Sequence, residues 1–97
     1  MKMMTKTLAK TIPALYEQDG KGDDAIVYAH WFSLTGWDWY CTEYDPEQRL
    51  CFGLVKGFAD ELGYWTIDQL EEVNEGRPFQ IIERDMYWTP CKLSEVR

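Results

Sequence analysis

Three successive stretches, 25–33, 37–44 and 49–56, are rich in β-branched and aromatic residues and are joined by the very short connectors 34–36 and 45–48. Parallel strands need a crossover of about a dozen residues or more, so connectors this short permit only an antiparallel meander. Two-residue alternation assigns the faces. In the first stretch Ile26, Tyr28, His30 and Phe32 oppose Val27, Ala29 and Trp31. In the second, Trp37, Trp39, Cys41 and Glu43 oppose Asp38, Tyr40, Thr42 and Tyr44. In the third, Leu50, Phe52 and Leu54 oppose Cys51, Gly53 and Val55. Leu34-Thr35-Gly36 and Asp45-Pro46-Glu47-Gln48 carry turn chemistry.

Two helices flank the meander. Thr66 and Gln69 have the spacing of a capping box, with Trp65 and Leu70 at the positions of a hydrophobic staple. Asp68 suits the first turn, Ile67, Leu70 and Val73 form the buried stripe, and Gly76 ends the helix. A shorter helix over 5–12 starts at Thr5, aligns Leu8 with Ile12 and stops before Pro13. Residues 17–24 read as a polar loop and 57–63 as a connector with Gly63 at a turn. Short strands are predicted at 79–82 and 85–88, with residues 1–4 and 92–97 peripheral. The expected fold class is α+β, a small single domain, 1–97, in which two short helices partly cover a twisted antiparallel sheet.

The fifteen aromatic residues exceed what so small a core encloses easily, so some are expected at the surface, on a protein-binding face or in a homodimer. No apolar run reaches the ~20 residues that span a bilayer, and the basic start is not followed by a signal-peptide pattern; a cytoplasmic location and no membrane partner are expected. Cys41, Cys51 and Cys91 are odd in number and isolated, consistent with reduced thiols.

Charge is distributed unevenly. Between Asp38 and Gly76 stand ten carboxylates against Arg49 and Lys56, within a net charge of −7. Direct binding of nucleic acid is disfavoured, because phosphate attraction is supplied by Lys and Arg. The plain reading is a solubilising exterior. The functional reading is an acidic face for a basic protein, with candidate partner-binding residues Glu43, Asp45, Glu47, Asp60, Glu61, Asp68, Glu71, Glu72 and Glu75.

Other chemistry finds little support. His30, Cys41, Cys51 and Cys91 match a zinc ligand set in number, but none forms the close Cys-x₂₋₄-Cys pair of a structural site. A thiol nucleophile with His30 as base, oriented by Asp38 or Glu43, lacks a glycine-rich nucleophile turn. Arg84 between Glu83 and Asp85 reads as an ion-paired strand edge. No phosphate loop or dinucleotide fingerprint occurs. No catalytic residue, metal or cofactor is expected, although a small hydrolase or transferase stays open as a third reading.

The order of motifs then becomes informative. Leu8, Leu15-Tyr16, Trp39-Tyr40-Cys41-Thr42-Glu43-Tyr44-Asp45, Phe52-Gly53-Leu54-Val55-Lys56-Gly57, Glu61-Leu62-Gly63-Tyr64-Trp65-Thr66, Leu70-Glu71 and Ile82-Glu83-Arg84-Asp85-Met86-Tyr87-Trp88 resemble domain of unknown function 2958 over nearly the whole chain. Cys41 and Cys51 fall where relatives are expected to carry Ala and an aromatic. The resemblance implies a bacterial protein of plasmids, phages or integrated elements, and transfers no catalytic residue. It also implies a target: a host defence nuclease complex blocked in the anti-CRISPR or antirestriction manner, by an acidic protein occupying a basic DNA channel. B-DNA carries one charge per about 1.7 Å, a density that clustered carboxylates approach. The alternative is an interaction domain, monomeric or dimeric, acting through exposed aromatics.

Overall fold

The alternation of the three central stretches is realised in a five-stranded antiparallel sheet whose strands lie, in spatial order, at Asp60–Thr66, Leu50–Lys56, Asp38–Asp45, Ala29–Ser33 and Ile82–Arg84. The structure is a computed structural model that describes residues 2–97; Met1, part of the segment expected to be peripheral, lies outside the described residues. The elements are α1 (Lys6–Thr11), β1 (Ile26–Val27), β2 (Ala29–Ser33), β3 (Asp38–Asp45), β4 (Leu50–Lys56), β5 (Asp60–Thr66), α2 (Ile67–Asn74), β6 (Ile82–Arg84) and β7 (Cys91–Lys92). The α+β class and the antiparallel meander of β2, β3 and β4 match the expectation.

Both helices start where their caps place them. The Leu8 N–H donates to Thr5 Oγ1 at 3.1 Å. The Gln69 N–H donates to Thr66 Oγ1 at 3.1 Å, and the Thr66 N–H donates back to Gln69 Oε1 at 2.9 Å, closing the capping box. Gly76 follows α2 with φ +73°, a conformation in which glycine carries no Cβ penalty. Ile67 and Leu70 are buried against the sheet, whereas Val73, expected in the same stripe, is exposed.

Several boundaries are corrected. The first stretch is not one strand: it breaks at Tyr28, so that β1 pairs with β7 while β2 pairs with β3 and β6. The segment read as a connector with a turn at Gly63 is the seven-residue strand β5, paired along β4 from Lys56↔Asp60 to Leu50↔Thr66. Residues 79–81 and 85–88 are not strands; the β6 pairing falls on Ile82–Arg84 between them. Among the described residues, both ends contribute side chains to the core. Met3 is buried and its carbonyl accepts from Trp31 Nε1 at 2.8 Å. Leu93 is buried, and the Val96 carbonyl accepts from Lys56 Nζ at 3.0 Å.

One irregularity governs the site. The β3–β4 register runs Cys41↔Gly53 and then Glu43↔Phe52, so Thr42 is an extra residue, a β-bulge. Alternation flips there. Trp39, Cys41 and Tyr44 lie on the face covered by Met3, Ile12, Ile67 and Leu70. Glu43 lies on the other face, with Tyr40, Phe52 and Leu54, where Val27, Leu93 and Trp88 pack. The alternation expected from sequence had placed Glu43 beside Cys41 and Tyr44 beside Tyr40.

Candidate functional site

The nine candidate carboxylates separate into four environments. Glu43 is withdrawn from the surface altogether, at 4% exposure. Its Oε1 accepts from the Tyr16 N–H at 2.8 Å and its Oε2 from the Gln18 N–H at 2.9 Å. Burying a carboxylate is costly unless strong donors replace its water, and two backbone amides do so here. They also hold Tyr16 at φ +73°, an unfavourable geometry for a bulky residue. Gln18 completes the clasp: its Nε2 donates to the carbonyls of Ile26 (2.9 Å) and Thr42 (2.7 Å), and its Oε1 accepts from the Ile26 N–H (2.7 Å). Glu43 is thus a structural residue, and its assignment to a partner-binding face is overturned.

Beside this clasp lies a cavity of about 420 Å³ whose lining includes Tyr16, Gln18, Glu43, Phe52, Leu62 and Tyr64. Phe52 and Tyr64 pack with centroids 4.9 Å apart. The neighbouring Tyr16 hydroxyl raises the Tyr64 phenol above its ordinary pKa. Tyr16, Leu62 and Tyr64 are all exposed at its mouth.

Asp45 and Glu47 sit at the β3–β4 turn. The Asp45 carboxylate accepts from the Glu47 N–H at 3.0 Å and from Gln48 Nε2 at 2.7 Å, so it shapes the turn. Asp60 and Glu61 begin β5 at the other end of β4. A seven-residue strand spans roughly 20 Å, too far for the two pairs to act as one patch. Asp60 stands 3.8 Å from Lys56.

The remaining four, Asp68, Glu71, Glu72 and Glu75, are brought together. All line one open groove of about 540 Å³ with Met3, Asn74 and Gln80. Arg49, at φ +53° in the β3–β4 turn, reaches across to them. Its guanidinium is bidentate to Glu71 (Nη1–Oε1 3.0 Å, Nη2–Oε2 3.1 Å) and Nη1 also contacts Asp68. The hydrogen bond to Glu71 is the leading influence raising the Arg49 pKa. Sequence had offered no cation within the helix; the compensating one comes from a turn nineteen residues before Asp68.

His30 is a hydrogen-bonded histidine on a half-covered sheet face, as expected. Its Nε2 lies 2.7 Å from Asp38 Oδ1 and its Nδ1 3.0 Å from Asp85 Oδ2. The ring stacks on Tyr40 at 4.5 Å and 6°, with Trp88 at 5.1 Å. Of the two carboxylates proposed to orient it, Asp38 does and Glu43 does not; Asp85, missed from sequence, is the second partner. Cys41 pairs with Ala29 and His30 with Tyr40, so thiol and imidazole project from opposite faces. Cys41 and Cys51 are both fully buried, and burial pushes the Cys51 thiol well up. No three His, Cys, Asp or Glu side chains among the described residues converge closely enough to hold a metal ion.

The class these features define is a small α+β domain, two helices on an antiparallel sheet, with a buried carboxylate clasp and an acidic helix face. The family profile for proteins of unknown function, DUF2958, matches residues 3–95, and the chain belongs to that family. Neither the curated proteins nor the solved structures contain a match. No helix among the described residues is long and apolar enough to cross a membrane.

Proposed function

We propose that this chain is a non-catalytic protein-binding module that docks a basic partner surface through the exposed face of α2. The carrying observation is that Asp68, Glu71, Glu72 and Glu75 all line one open groove, where the Arg49 guanidinium engages Asp68 and Glu71 and leaves Glu72 and Glu75 available. Such a face attracts cationic surfaces and raises encounter rates in a salt-dependent way. The partner class that fits is a nucleic-acid-processing complex with a basic DNA channel, acted on in the cytoplasm of a bacterial host. Glu72 and Glu75 carry the binding, while Asp68 and Glu71 orient Arg49.

The test uses cells that carry a DNA-targeting defence complex and are challenged with a targeted plasmid. Expression of the parent chain should raise plasmid survival, and the double variant Glu72→Lys/Glu75→Lys should lose that protection. The control Asp60→Lys/Glu61→Lys, at the other end of the sheet, should keep it. Equal protection by parent and α2 variant, or no protection by the parent against any defence class tested, would overturn the reading.

A second reading, an interaction domain acting through aromatic side chains, is favoured by one observation. Tyr16, Leu62 and Tyr64 stand exposed together around a cavity large enough for a partner's apolar group.

A further inference from the structure

The terminal strand β5 is an open edge. The Ile67 N–H donates to the Arg49 carbonyl at 2.9 Å, which fixes the parity of the ladder. Trp65, Gly63 and Glu61 therefore turn their backbone groups toward β4, and Tyr64, Leu62 and Asp60 turn theirs outward. Natural sheets blunt such an edge with lysine, proline, a bulge or a covering element. β5 contains neither lysine nor proline, its charges, Asp60 and Glu61, stand only at its first two positions, and its pairing with β4 is regular throughout.

Gly63 at its centre has no explanation inside the chain. Its paired neighbour Gly53 is required, since a Cβ there would lie 1.8 Å from the Tyr40 carbonyl oxygen. A Cβ at Gly63 would meet nothing within 4 Å, and its φ lies outside the left-handed region. Glycine inside a strand weakens it and often marks the close approach of another backbone.

We propose that β5 pairs with β5 of a second copy of this chain, antiparallel, with Gly63 opposite Gly63 on the two-fold axis. This deepens the aromatic reading by naming the occupant of that side of the molecule, and it is independent of the α2 face. The register is self-complementary. Leu62 of each copy becomes a hydrogen-bonded pair with Tyr64 of the other, using the outward N–H and C=O groups of both. The two Leu62 and two Tyr64 side chains then form one continuous apolar stripe with Tyr16 and Phe52. No carboxylate faces another: Glu61 falls opposite Trp65, and Asp60 opposite Thr66.

Neighbouring registers are worse. Centring on Glu61 sets like charges directly opposite each other, which is destabilising. Centring on Tyr64 leaves only the central Tyr64 pair fully bonded, since its flanking Leu62–Thr66 pairs call on the Thr66 N–H already given to Gln69. The Gly63 register keeps both Leu62–Tyr64 pairs whole and meets Thr66 only at its ends. Centring on Leu62 presses Asp60 against Tyr64 and desolvates a carboxylate at each end. The contact is small, so the dimer belongs to the weak class and forms in a concentration-dependent way.

Sedimentation equilibrium of the full chain across the micromolar range provides the test. The parent should show a reversible monomer–dimer equilibrium. Leu62→Pro removes an outward N–H while sparing the β4 ladder, and should weaken the dimer about tenfold or more with the circular dichroism of the fold retained. In a Cys91→Ser background, Gly63→Cys should form an intermolecular disulfide on mild oxidation, because residues across a non-hydrogen-bonded pair lie about 4.5 Å apart. Glu61→Cys should not, since its symmetry mate would be roughly 13 Å away along the strand. A parent that stays monomeric, or a Gly63→Cys variant that crosslinks no better than Glu61→Cys, overturns the proposal. The crosslinking arm decides the matter even if Leu62→Pro fails to fold. Charge reversal on α2 should leave all these readouts unchanged, so the two readings fail separately.

Discussion

Glu43 and Glu72 are the same residue type in the same acidic half of the sequence, yet they inhabit opposite regions of the molecule. Glu43 is enclosed, each of its oxygens engaged by a backbone amide, and it shapes the 16–18 loop. Glu72 is exposed on α2 in an open groove beside three other carboxylates. The difference teaches that carboxylate density along a chain overstates the acidic surface: part of the count is consumed as internal hydrogen-bond acceptors. What remains for a partner is narrower and better defined than the sequence tally.

The sharpest break between the two regions is mutational. Glu43→Ala should destabilise the fold by roughly 3 kcal/mol, because charge-assisted bonds are lost and buried amides are stranded. Denaturant unfolding measures it; a loss below about 1 kcal/mol would place Glu43 in the same category as the ridge.

Alkaline titration sharpens the contrast from the interior side. Burial raises the pKa values of Cys51, Tyr40 and Tyr44, and for Tyr44 the proximity of Arg49 partly opposes the rise. Folding then favours the neutral forms, so their contribution is complete below the unfolded-state pKa values and is lost as pH rises above about 9. Each such group contributes a slope of up to about 1.4 kcal/mol per pH unit in that window. Melting temperatures from pH 7 to 11 check this, and Cys51→Ala should flatten the decline.

Thr66→Ala removes the cap that starts the acidic helix and should cost about 0.5–2 kcal/mol in chemical denaturation. Arg49 offers a finer division. Arg49→Ala loses exposed ion pairs, which contribute only about 0.2–1 kcal/mol, and keeps a side chain at positive φ. Arg49→Gly loses the same pairs but relieves the backbone, so it should be the more stable of the two variants.

The smallest stability effect belongs to the ridge itself. Glu72→Lys/Glu75→Lys should change unfolding free energy by no more than about 0.5 kcal/mol while abolishing the salt-dependent binding proposed above. A large loss of stability from this pair would mean the ridge is structural after all, and the contrast with Glu43 would collapse.

Local signals carried well from sequence to structure. The capping box at Thr66 and Gln69, the cap at Thr5, and the short turns of the meander are each set by residues within a few positions of one another. Features that depend on distant partners were hidden. β5 was obscured because Asp60, Glu61 and Gly63 are poor strand formers, and its pairing with β4 overrides that preference. The closing segment reads as a loose tail until Leu93 and Trp88 are seen against Val27 and Leu54. Of the candidate site, the α2 carboxylates were legible from helical spacing. Arg49 as their counter-ion and Asp85 as the partner of His30 were not, since each link joins elements far apart in the chain.

The extra residue at Thr42 has a consequence for how this family can change over time. Loss of the Thr42 codon would close the bulge and leave both faces as they are, with Cys41 opposite Gly53, Glu43 opposite Phe52 and Tyr44 opposite Cys51. It would remove the Thr42 carbonyl that accepts from Gln18 Nε2 and so loosen one arm of the clasp. Gain of one codon between Phe52 and Gly53 would instead pair Thr42 and carry two-residue alternation through, turning Glu43 to the face of Cys41 and Tyr44 away from it. One insertion would thus bury an unpartnered anion, empty an aromatic site and release the 16–18 loop together, so this strand pair tolerates shortening and resists lengthening.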